Sequence, residues 1–142
     1  MKYVITLFLT IGLALSSFSK SNEIGKDIDV NHYEIHLNEF NITEKSLDAS
    51  TTITFTALNA IDFIELELKS LNVSSVTSDD INVKDFSQND DILKINFAST
   101  LSADSKISLT IDYNGKTFNE QWGGIHWSSD YVYNLGVGFD SQ

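Results

Sequence analysis

Residues 32–36 read His32-Tyr33-Glu34-Ile35-His36. Two histidines bracket a glutamate at a spacing of four, in a chain with three histidines in all. On a helix that spacing stacks two imidazoles on one face, and H-E-x-x-H uses it to hold zinc, with the glutamate as general base. Here Tyr33 occupies the place after the first histidine and Glu34 is displaced by one. The flanks decide the local structure. From His32 to Phe40, Tyr33, Ile35 and Leu37 alternate with polar residues, the two-residue period of a strand. On a strand, four steps set the two histidine Cα atoms about 13 Å apart. Ligand nitrogens sit about 2 Å from one zinc. His32, Glu34 and His36 therefore read as a solvated strand face, and Tyr33, Ile35 and Leu37 as the core side.

The same period runs on along the chain. Thr51, Ile53, Phe55 and Ala57 share one face, opposite Thr52, Thr54 and Thr56. In FIELELKSLNV, Ile64, Leu66 and Leu68 oppose Glu65 and Glu67. Leu93, Ile95 and Phe97 form another face, and Ile107, Leu109, Ile111 and Tyr113 another. Polar stretches separate these runs at 41–46, 59–60, 77–80, 87–91, 102–105 and 114–115. Proline is absent, so Gly, Asn and Asp must supply the turns. No segment has a helical period. The expected fold is all-β, an antiparallel β-sandwich. The last third packs Trp122, Trp127, Tyr131, Tyr133 and Phe139 among Gly123, Gly124, Gly136 and Gly138, which suggests a loop of close backbone approach and then a strand.

Length and charge set the outer bounds. The chain has 142 residues, enough for one domain, with 42% hydrophobic and 11% aromatic residues to build a core. Its formal charge is −11. That opposes nucleic acid and anionic membrane surfaces, which need clustered Lys and Arg. Met1-Lys2 and the uncharged apolar run Tyr3–Phe18 resemble a secretory signal, with small residues at Ser17 and Ser19. Residues 1–19 are expected to be a cleaved signal peptide, 20–28 a flexible leader and 29–142 the domain. The expected location is secreted or periplasmic, with no stable membrane anchor. There is no cysteine, hence no disulfide and no thiolate ligand.

Chemical motifs are sparse. Asp79-Asp80 and Asp90-Asp91 are acidic pairs in turns without a calcium-loop pattern. Asn41-Ile42-Thr43 and Asn72-Val73-Ser74 fit the glycosylation sequon. No G-x-S-x-G, P-loop or G-x-G-x-x-G occurs, and nothing places His126 in a Ser-His-Asp arrangement. Trp122 and Trp127 could stack on a sugar or peptide, or plug the end of a sandwich.

Taken together, several segments carry a resemblance. DVNHYEIHLNEFNITEKSLDASTTITFTAL (Asp29–Leu58) is similar to the opening strands of the aminopeptidase N family, the gluzincin zinc peptidases that include leukotriene A hydrolase. IDFIELELKSLNVSSV (Ile61–Val76), KISLTIDYNGK (Lys106–Lys116) and WGGIHWSSDYVYNLGVGF (Trp122–Phe139) resemble the family's next elements in the same order. The resemblance implies the noncatalytic, saddle-like N-terminal β domain, incomplete at its C-terminal end. The family's G-x-M-E-N segment, H-E-x-x-H and downstream glutamate ligand belong to a following catalytic domain and do not occur here. Catalytic and metal residues in this chain are therefore expected to be none. Zinc is the cofactor of the full-length parent family only.

The expected function is that of an N-terminal domain of a secreted bacterial zinc metallo-aminopeptidase. In the full enzyme it flanks the active-site cleft and helps position the peptide N-terminus. Its expected partner is the catalytic domain of the same polypeptide, with peptide substrate met only in the full enzyme. In the family, the tail of this domain supplies a Gln or Glu that anchors the substrate amine, which makes Gln142 a substrate-binding candidate by location. The alternative is a stand-alone secreted β-sandwich binding peptide or glycan through Trp122 and Trp127. A bare apolar patch where a catalytic domain would dock favours the first reading.

Overall fold

The computed structural model describes residues 24–120 and 123–134. The expected signal peptide, Trp122, Phe139 and Gln142 lie outside the described residues. The described chain runs β1 (Ile28–Asn41), β2 (Ser46–Ala57), β3 (Ile61–Glu67), β4 (Asn72–Thr77), β5 (Val83–Asn89), β6 (Ile92–Leu101), β7 (Lys106–Lys116), β8 (Asn119–Glu120), β9 (Gly123–Trp127) and β10 (Val132–Asn134). No helix occurs among the described residues. One sheet has the order β1-β2-β7-β4, the second β3-β6-β5 and a small third β10-β9-β8. Every pairing is antiparallel.

The β2–β7 pair is the spine. It runs from Ser46↔Lys116 to Thr56↔Lys106 with no register break. Its two faces are chemically opposite. Inward, Ile53, Phe55, Ile107, Leu109 and Ile111 are buried, together with Val76 of β4. Against them lie Ile64 of β3 and Leu93, Ile95 and Phe97 of β6. Outward, hydroxyls bond across the strands: Thr52 to Thr110 at 2.8 Å and Thr54 to Ser108 at 2.9 Å. This is why the strand is rich in threonine. The β-branched residue suits the pleat, and its hydroxyl finds a partner directly opposite.

Turns carry the sharp reversals that proline would otherwise mark. Lys45, Ser70, Asp90 and Asp104 all have positive φ. Ser70 divides FIELELKSLNV: β3 stays in the second sheet, and the chain crosses to the first sheet as β4. The acidic pairs have structural partners. Asp80 Oδ2 accepts the Ser108 N–H at 2.7 Å, and Asp91 Oδ1 accepts the Ser70 N–H at 3.2 Å. At the sequons, Asn41 Oδ1 accepts the Glu44 N–H at 3.0 Å, and Asn72 opens β4.

Three expectations need correction. The leader boundary moves: Ile28 is buried and opens β1, and Asp27 O accepts the Leu58 N–H at 2.9 Å. β5 is a strand where no alternation was visible, because a bulge between Val83 and Asp85 shifts its phase. Most consequential is β1. Tyr33, Ile35 and Leu37 do share the inner face, opposite Ile53, Thr51 and Ala49. They are not core: their exposures are 55%, 60% and 53%. The second sheet covers Ile28 and reaches Val30, but the rest of β1 overhangs it.

Candidate functional site

The overhang makes a groove of about 660 Å³ on the inner face. Its floor is Tyr33 and Ile35 of β1, Thr51 and Ile53 of β2, and Ile111 and Tyr113 of β7. One wall is Leu66, Leu68 and Leu93, with Glu65 and Glu67 beside them, and Ile24 closes one end. The floor is apolar except for the Tyr33 hydroxyl and one hydroxyl pair, Thr51 Oγ1 and Tyr113 OH at 2.8 Å. That bond gives each of the two groups a partner, which lowers the cost of covering this part of the floor with apolar side chains. Tyr113→Phe is expected to lose about 0.5–1.5 kcal/mol, because Thr51 keeps a half-buried hydroxyl without its partner. A urea midpoint at the wild-type value would show the pair to be idle.

The far end of β1 makes one aromatic contact and stays exposed. Phe40 meets Trp127 edge to face, with centroids 5.9 Å apart. Trp127 Nε1–H donates to Thr117 Oγ1 at 2.7 Å. Trp127 is thus engaged inside the domain, as a plug with a satisfied polar end. His126 stacks on Tyr133 at 5.0 Å, and its Nε2 lies 3.1 Å from Gly123 O. Gly124 permits the tight join below it. Its φ is +75°, and a Cβ there would lie 2.3 Å from Phe118 O. The close backbone approach suggested by the Gly-Gly pair is therefore between β9 and the chain entering β8.

The histidine–glutamate stretch is a strand face. His32, Glu34 and His36 pair with Thr54, Thr52 and Ser50 of β2, and all three are exposed. His36 Nε2 lies 3.1 Å from Glu34 Oε1 within the strand. Among the described residues no group of three His, Asp or Glu side chains could hold a metal ion. The described residues do not fit a zinc centre. What the domain offers is a shaped apolar surface bounded by acidic residues.

A family model, the Peptidase M1 N-terminal domain, matches residues 29–138. The chain belongs to that family. Solved structures agree in fold. An M1 zinc metallopeptidase from Deinococcus radiodurans superposes with a TM-score of 0.58 at 24% identity, over 66% of this chain and 21% of that one. A mutant of the D. radiodurans enzyme bound to a Tyr-Ser-Ala substrate gives 0.59 at 23%, over 68% and 22%. A mutant two-domain M1 zinc metallopeptidase bound to L-arginine gives 0.68 at 22%, over 79% and 27%. No curated protein matches. The chain thus spans 21–27% of the length of these metallopeptidases. The family assignment agrees with the resemblance carried by Asp29–Leu58 and the later segments. The groove is the feature that the sequence did not announce. Alternation at Tyr33 and Ile35 pointed to the correct face, but no signal in the residues told of the missing cover.

Proposed function

We propose that this M1 N-terminal domain is the noncatalytic front of a secreted bacterial zinc aminopeptidase, flanking the active-site cleft and helping to position the peptide N-terminus. The observation that carries the reading is the uncovered inner face of β1, where Tyr33, Ile35 and Leu37 stay exposed beside an apolar groove. Large apolar patches on soluble domains mark interaction surfaces. A second domain of the same polypeptide is the partner expected for a domain whose family is that of peptidases. Zinc and the hydrolytic residues would reside in that second domain. Gln142 is proposed as an amine-anchoring residue from its place at the tail of the domain. Export rests on the Met1–Ser19 pattern of a short basic start, an apolar run and small residues.

The test is to read the coding sequence beyond codon 142 and assay the products. The expected result is an open frame that encodes H-E-x-x-H and a downstream glutamate. The extended chain should release N-terminal residues from peptides, while residues 1–142 alone do not. A stop directly after codon 142, with a folded and exported product of this length, would overturn the proposal and leave a stand-alone binding module. Substituting Gln142 by Ala in the extended enzyme should raise KM for peptides with a free amine and spare those with a blocked one.

A further inference from the structure

Among the described residues β1 is an edge strand and pairs with β2 alone, at one end of the order β1-β2-β7-β4. It is 14 residues long and contains neither lysine nor proline, two common guards of an exposed edge. Register irregularities lie between Val30 and His32 and between Leu37 and Glu39. The stretch 32–37 between them is regular.

We propose that this edge pairs with β1 of a second copy, antiparallel and centred on Ile35. Self-pairing of a strand about a two-fold axis allows few registers, because partners must point to the same face. Centred on Glu34, the strand sets Glu34 against Glu34 of the second copy, a like-charge contact that disfavours it. Centred on His36, it sets His36 against itself and places the irregular Asn38 opposite Glu34. Centred on Ile35, Glu34 faces His36 twice, Tyr33 faces Leu37 twice and Ile35 faces itself. Each Glu34 carboxylate then lies between its own His36, already at 3.1 Å, and that of the second copy. On the other face, three exposed apolar residues from each copy stand side by side as cross-strand neighbours. Centred on Tyr33, Glu34 faces His32, but the irregular Asn31 lies opposite Ile35. Of these two registers, the Ile35 register alone keeps its pairs 33–37 inside the regular stretch, and the occupant it selects is the chain itself. The net charge of −11 opposes approach, but at about 0.15 M salt such repulsion is screened beyond about 8 Å, and the paired residues are in contact. The pairing uses the free backbone edge of β1, whereas the proposed catalytic partner would use its inner face, so either can fail without the other.

The absence of cysteine makes the register directly testable. In the full 142-residue chain, Ile35→Cys should form a disulfide-linked dimer under mild oxidation. Leu37→Cys should not, because position 37 in the two copies is four residues out of line, about 13 Å, where a disulfide needs Cα atoms within about 7 Å. Tyr33→Cys mixed with Leu37→Cys should cross-link as a heterodimer. Glu34→Lys should weaken association about tenfold or more, since it changes two symmetry-related pairs. The double exchange of Glu34→His with His36→Glu should restore it. A wild-type chain that sediments as a monomer at about 100 μM, far above the range of a specific complex, overturns the proposal. So does cross-linking of Leu37→Cys as readily as Ile35→Cys, the signature of unspecific aggregation.

Discussion

Phe55→Ala is expected to cost about 3–5 kcal/mol, as truncation of a buried aromatic does. Phe55 has no solvent exposure and belongs to the cluster that joins the two main sheets. Its neighbours on β2 and β7 are held by an unbroken ladder, so they cannot collapse into the void. Against a typical domain stability of about 5–15 kcal/mol, the loss leaves the domain marginal. Ile35→Ala is the matched control. Ile35 also sits at an inward strand position, yet it is 60% exposed. In solutions too dilute for copies to associate, its truncation should change stability by about 0.5 kcal/mol or less. Guanidinium unfolding of both variants checks the pair. Equal losses would mean that the overhanging half of β1 is packed, and the groove would lose its basis.

Gly124→Ala is the second large effect. The new methyl carbon would meet Phe118 O at 2.3 Å and Asn119 Cα at 2.9 Å, and both are backbone atoms that no rotamer change can move. The φ of +75° adds strain for any L side chain, about 1–3 kcal/mol. Overpacking adds about 1–3 kcal/mol more. The main sandwich need not bear this cost, because β8, β9 and β10 form a separate small sheet. The expected outcome is local: the β8–β9 pairing opens and Trp127 loses its bond to Thr117. Trp127 fluorescence should shift to the red and amide exchange should rise across 119–134, while the transition of the main core stays in place. Unchanged exchange in that segment would show that β9 does not lie against Phe118.

Much of the fold was legible because burial on a two-layer sandwich obeys one rule. Ile53-Phe55-Ala57, Leu93-Ile95-Phe97 and Ile107-Leu109-Ile111 alternate, and each proves to be an inner face. The places where reading failed are those where the rule is interrupted. The bulge at Val83–Asp85 puts Phe86 out of phase and hides β5. Positive φ at Ser70 splits one apolar run between two sheets, and a serine gives no warning of it. The acidic pairs looked like free carboxylates, whereas Asp80 and Asp91 accept bonds from backbone N–H groups distant in sequence.

By itself, the sequence determined that this chain is all-β, which residues share each face, and that His32, Glu34 and His36 form no zinc helix. It also carried the family likeness through the order of its strands. These are local properties, set by the period of side chains along a strand. The tertiary structure alone decided which inward faces are covered. The second sheet ends short of Tyr33, Ile35 and Leu37, so residues with the same alternation as Phe55 stay exposed instead of joining the core. Coverage depends on where another segment stops, and no local period encodes that.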